Sequence, residues 1–99
     1  MSRSIASYNA TNIAATTAGV ALRTGRGILH AIALNTPIAT SVITVYDGVS
    51  TGGTKVATIT VPASPQAATL LYDVAFTTGL FVVMATASSD ITVSWSIDA

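Results

Sequence analysis

The chain has 99 residues, of which four are basic and four acidic, so it is 8% charged and 51% hydrophobic, where an ordinary soluble domain is about one-quarter charged. That length supports one domain burying roughly 60–65% of its unfolded surface, and a formal net charge of zero gives no field that would draw in nucleic acid or an anionic membrane. With no cysteine there is neither a disulfide framework nor a thiolate metal site.

The longest apolar stretch, residues 79–87, is about half of the roughly 20 residues that a membrane-spanning helix needs. The opening MSRSIASYNAT lacks the continuous apolar core of a signal peptide. A protein made in the cytoplasm is expected, with the sequon-like Asn9-Ala10-Thr11 incidental. Helix signals are almost missing, because there is no glutamate and one lysine and because β-branched residues dominate every apolar run. The fold class expected is all-β.

Residues 1–18, rich in Ala, Thr, Ser and Asn, predict a loose N-terminal arm or an edge strand, and residues 19–99 the folded domain. A first short strand is expected over Gly19–Arg23, then a turn at Thr24-Gly25-Arg26-Gly27. Gly27–Leu34 is apolar on both faces, as in a strand that is sandwiched or at an interface. Asn35-Thr36-Pro37 ends it, and Ser41–Tyr46 predicts the next strand.

Asp47-Gly48 through Gly52-Gly53 reads as a turn, after which Lys55–Val61 sets Ala57, Ile59 and Val61 inward. Beyond Pro62 and Pro65, Thr69–Phe76 alternates with Leu70, Tyr72, Val74 and Phe76 on one face. Leu80–Ala87 is again apolar on both faces, between turn signals at Thr77-Thr78-Gly79 and Ser88-Ser89-Asp90. The last segment has strict period two, with Ile91, Val93, Trp95 and Ile97 opposite Thr92, Ser94 and Ser96. Seven or eight short strands at this spacing predict a single-domain antiparallel β-sandwich, jelly-roll or immunoglobulin-like in connection.

Groups that exchange protons or attack a substrate are scarce: one histidine, four aspartates, no glutamate and no cysteine. No catalytic residue, metal site or cofactor is expected. His30 alternates onto the face of Ile28, Ile32 and Leu34, which places it in a core or an interface, the alternative being a ligand or general base. Gly48-Val49-Ser50-Thr51-Gly52-Gly53-Thr54-Lys55 approaches a phosphate loop but ends in Thr-Lys and joins two strands, so no helix N-terminus follows it.

The residues singled out for partner binding are Arg23, Arg26, Lys55 and Asp73. Arg23 and Arg26 form a basic hairpin tip that either docks on an acidic surface or serves as a solvated gatekeeper. Mid-strand Asp73 either pairs with an arginine of a neighbouring subunit or is simply exposed. Asp47 and Asp90, at strand ends, are expected to bond turn amides, and Trp95 to anchor the core.

The phrases Gly27-Ile28-Leu29-His30, Val45-Tyr46-Asp47, Gly52-Gly53-Thr54-Lys55-Val56-Ala57-Thr58-Ile59, Leu71 through Leu80 and Asp90-Ile91-Thr92-Val93-Ser94-Trp95 resemble small virion proteins of tailed bacteriophages. The resemblance spans roughly residues 20–97 and includes no active-site motif. It implies a structural component of the particle, of the capsid decoration, cement or head-fibre type. Such a protein is a β-rich homotrimer or other symmetric oligomer on the capsid surface, strengthening contacts between subunits of the major capsid protein, with no nucleic acid or membrane as partner. The alternative from a different class is a tail-tip or head-fibre binding module, with a glycan or receptor site near Trp95 or the Tyr46–Lys55 loop.

Overall fold

A computed structural model describes residues 8–14, 18–85 and 89–97. They form eight strands: β1 (Asn9–Ile13), β2 (Val20–Thr24), β3 (Gly27–Thr36), β4 (Val42–Asp47), β5 (Thr54–Thr60), β6 (Ala68–Phe76), β7 (Gly79–Ala85) and β8 (Asp90–Ser96). All pair antiparallel, in two four-stranded sheets of order β1-β8-β3-β6 and β2-β7-β4-β5. The all-β sandwich read from the sequence is therefore the observed class.

The pairing β1·β8, β2·β7, β3·β6 and β4·β5 is that of one long hairpin with its tip at β4–β5. Alternate pairs of that hairpin lie in different sheets, and β3·β8 and β4·β7 join them. This is jelly-roll connectivity, which selects between the two topologies the sequence left open. Only β4–β5 connects neighbours within one sheet; every other connection crosses between sheets.

One core lies between the sheets, with Ile13, Leu29, Ile32, Leu34, Val93 and Ile91 from the first meeting Ile43, Val45, Val82, Leu80 and Met84 from the second. Burying side chains of this size contributes roughly 1.5–3 kcal/mol each before the entropy of ordering them is subtracted. The two segments read as apolar on both faces are central strands, β3 between β8 and β6 and β7 between β2 and β4. On β7, Phe81 pairs opposite Ala21 and Tyr46, on the face away from the core, yet is 8% exposed. The backbone at Gly19 rests on its ring so closely that a Cβ there would sit 2.2 Å from Phe81 Cζ.

The first 18 residues contribute more than an arm. Asn9–Ile13 pairs with Ile91–Trp95 as an edge strand, and Ile13 is buried in the core. The remainder of the predicted arm, residues 1–7 and 15–17, lies outside the described residues. Alternation in β6 and β8 runs largely as read, and in β5 from Ala57 on: Ala57, Ile59, Leu70, Tyr72 and Trp95 pack on the core, and Val61 and Phe76 are within it. Val56, expected to face outward, also packs against the core, because a register shift against β4 leaves it unpaired between Lys55 and Ala57. The predicted inward faces fail at two positions, since Val74 on edge strand β6 is 37% exposed and Ile97, beyond the end of β8, is 51% exposed.

Candidate functional site

In β3 the register shifts between Leu29 and Ala31 against both neighbours, leaving His30 as an unpaired residue. An extra residue reverses the alternation beyond it. Leu29, Ile32 and Leu34 consequently all enter the core, while His30 lies on the outer face with Ile28, 30% exposed. This corrects the sequence expectation, which carried strict period two through the bulge and grouped His30 with Ile32 and Leu34.

His30 Nδ1 lies 2.6 Å from Asp73 Oδ1, and since a carboxylate only accepts, the imidazole nitrogen donates. Asp73 adopts φ 49°, a left-handed conformation that aspartate tolerates better than most residues. On β6 two residues, Tyr72 and Asp73, stand opposite the single His30. The Tyr8 ring stacks on the imidazole at 4.2 Å and 12°. Asp73 thus has its partner within its own chain, and this is the one ion pair among the described residues. Among the described residues the hydrogen-bond partner of His30 is Asp73.

Arg23, Arg26 and Lys55 all lie toward the opposite end of the sandwich from the β3–β4 turn. Gly25, at φ 109°, makes the sharp β2–β3 turn and donates its N–H to Thr78 O at 2.7 Å. Arg23 curls back so that Nε donates to Arg26 O at 3.3 Å. Lys55 is exposed, opposite Tyr46 at the start of β5. The residues do not form one patch. Arg23 and Lys55 are on the two edge strands of the second sheet, about 14 Å apart at ordinary strand spacing, and Asp73 is on the other sheet.

At the same end the Asp47 carboxylate accepts hydrogen bonds from the backbone N–H groups of Thr77 (2.9 Å), Thr78 (2.8 Å) and Gly79 (3.3 Å) and from the Thr77 hydroxyl (3.2 Å). Partial burial pushes its pKa up, but the amides of Thr78, Thr77 and Gly79 and that hydroxyl outweigh it, so the group ionises below the usual carboxylate range. Gly79 is required by close approach, since a Cβ there would meet Gly48 O at 2.6 Å and Arg23 O at 2.7 Å. The sequence read Asp47 as an amide acceptor, and it is one, for a turn 30 residues away.

Asp90 follows a different chemistry from the one expected. Its Oδ1 accepts from the side-chain amides of Asn12 (2.8 Å) and Asn35 (2.9 Å), and Asn35 also donates to Thr92 Oγ1 at 2.9 Å. The Asn35 and then the Asn12 hydrogen bonds lower its pKa. This cluster ties β1, β8 and β3 together across the outer face. Sequence reasoning missed Asn12 and Asn35, because partners 78 and 55 residues away leave no local signal.

Trp95 packs against the core, and its buried Nε1 has no hydrogen-bond partner among the described residues. The Gly48–Gly53 segment is a hairpin tip, closed by Gly53 N–H to Ser50 O at 3.1 Å and by Gly52 N–H to Ser50 Oγ at 3.1 Å. Strand β5 follows it, so the helix that a phosphate loop requires does not occur there. Among the described residues no three metal-ligating side chains gather. No family model, curated protein or solved structure matches the chain. Taken together, the polar clusters cross-link strands and loops, which is structural work.

Proposed function

We propose that this chain is a structural virion protein of a tailed bacteriophage. In this reading it is a decoration or cement protein that sits on the outside of the head and stabilises contacts between major capsid subunits. The observation that carries the reading is a sandwich in a chain only 8% charged, rich in Ala, Ser, Thr and Val where a solvated surface ordinarily carries charge. Such a surface suits burial against copies of itself and against a shell better than lifelong exposure. The likeness of its strand phrases to small virion proteins supports the same conclusion.

The mechanism is mechanical. Each copy contacts more than one shell subunit, and many weak contacts repeated by symmetry add up to high avidity against the pressure of packaged DNA. Arg23, Arg26 and Lys55, which are free of carboxylate partners among the described residues, are the side chains suited to an acidic shell surface. The protein acts without catalysis or cofactor, assembles into a closed symmetric oligomer, and meets neither nucleic acid nor membrane.

The test is co-sedimentation of the purified chain with expanded empty heads of the phage that encodes it. Saturable binding in a fixed ratio to shell subunits is expected, with weaker binding by an Arg23→Ala/Arg26→Ala variant. Failure to bind heads, combined with saturable binding to a host-surface glycan, would replace this reading with a tail-tip or fibre module.

A further inference from the structure

The outer face of the first sheet has a charge pattern that fits one kind of partner. None of β1, β8, β3 and β6 contains lysine or arginine. The face carries small side chains such as Ala10, Ser94, Ala33 and Ala75, with Leu71 standing out from it at 66% exposure and the half-exposed Tyr8 ring stacked on His30. Asp90 is held by Asn12 and Asn35 at one side, leaving the His30–Asp73 pair as its other ionisable feature. Edge strand β6 is guarded only locally, by Asp73 and the register irregularity at Tyr72–Asp73. β6 is nine residues long, whereas edge strands β2 and β5 carry Arg23 and Lys55 and β1 has five residues, and charges and short length are ordinary protections of an edge.

A surface bearing one compact pair of an imidazole donor and a carboxylate acceptor is complementary to itself. A two-fold axis through it sets His30 of each copy against Asp73 of the other, as an isologous contact requires. Each residue keeps an atom for this purpose. Nδ1 and Oδ1 bind each other within the chain, while Nε2 and Oδ2 make no hydrogen bond among the described residues. We infer that the outer face of the first sheet is a two-fold self-association surface in which His30, as the imidazolium that alone has an N–H on both ring nitrogens, donates from Nδ1 within its own chain and from Nε2 to the free Asp73 oxygen of the other copy, reciprocally. A polyanion or a strongly basic protein would find no matching net charge there.

Four strands at about 4.8 Å spacing and about seven residues of rise give a face of roughly 450 Å² per copy. That is below the roughly 800 Å² per partner of a standard stable interface, so the dimer is reversible and concentration-dependent. The inference rests on the self-association proposed above and assigns that contact two-fold rather than three-fold symmetry.

Sedimentation equilibrium of the full chain tests it with three variants: Asp73→Asn, which keeps a residue tolerant of the left-handed backbone, His30→Asn, and Leu71→Lys, which charges the face without touching the pair. Circular dichroism melts verify that each is folded. The unchanged protein dimerises, and each variant alone dissociates at least about tenfold more readily, the equivalent of roughly one charge-assisted hydrogen bond. An equimolar mixture of His30→Asn and Asp73→Asn regains part of the lost affinity, because each mixed dimer restores one of its two reciprocal contacts.

Variants that associate like the unchanged protein, or a mixture no tighter than its components, overturn this contact. Head binding that persists in the dissociated variants leaves the virion reading intact, whereas its loss in a protein that still dimerises counts against that reading alone.

Discussion

Asp47 shows how one carboxylate organises an end of this molecule. Its oxygens collect the amides of Thr77, Thr78 and Gly79, so the β6–β7 turn is fastened to the end of β4, and Gly48 N–H donates to Gly79 O at 3.1 Å beside it. Replacing Asp47 with alanine should cost about 1 kcal/mol after allowance for solvent screening, read as a fall of about 4–8 °C in Tm. Because the folded-state pKa is lowered, this stabilisation is fully present above the ordinary carboxylate range and is lost as pH falls through the folded value. Thermal melts taken down to about pH 2 should therefore show a shallower acid decline for Asp47→Asn than for the unchanged protein; identical slopes would contradict the assignment. Gly79→Ala, which drives a methyl into two backbone oxygens, should destabilise by about 1–3 kcal/mol, measured by urea unfolding. The residue type at position 47 disclosed its role as an amide acceptor, but not which turn it would hold, since that depends on which loops the topology brings to one end.

Strands were legible wherever one face is buried and the other solvated, as in β8, where Ile91 and Val93 are fully buried and Thr92 and Ser94 are not. β3 and β7 were legible by a different sign, apolar side chains on both faces. What escaped was the bulge at His30. A single extra residue exchanges the faces, and nothing in Gly27–Leu34 marks where it occurs, because apolar residues stand on both sides of it.

The edge-strand alternative for residues 1–18 is met by β1, but its bounds were hidden, since Asn9–Ile13 is polar except at Ala10 and Ile13 and pairs only with β8. The consequence is testable. Ile13→Ala should cost about 2–4 kcal/mol, and deletion of residues 1–13 should leave β8 as an uncovered edge and give an aggregating protein by light scattering; a soluble, cooperatively folding truncation would show that β1 is dispensable. The polar cluster of Asn12, Asn35 and Asp90 was illegible for the same reason, because its geometry exists only after β1, β8 and β3 align.

At the scale of the whole molecule, the nested hairpin makes most contacts non-local, with only β4 and β5 joined in succession within one sheet. Chains of this type fold in milliseconds to seconds and expose strand edges on the way, a hazard that a surface poor in charge aggravates. The composition that makes a solitary life difficult is the one that suits assembly, and the outer face of the first sheet combines small side chains, the His30–Asp73 pair and the nine-residue edge strand β6. The most direct measurement is the solution mass of the full chain by light scattering through a dilution series from high to low micromolar concentration. A closed oligomer that dissociates reversibly on dilution is the expected result; a monodisperse monomer at every concentration would contradict the claim that this surface is built to be covered.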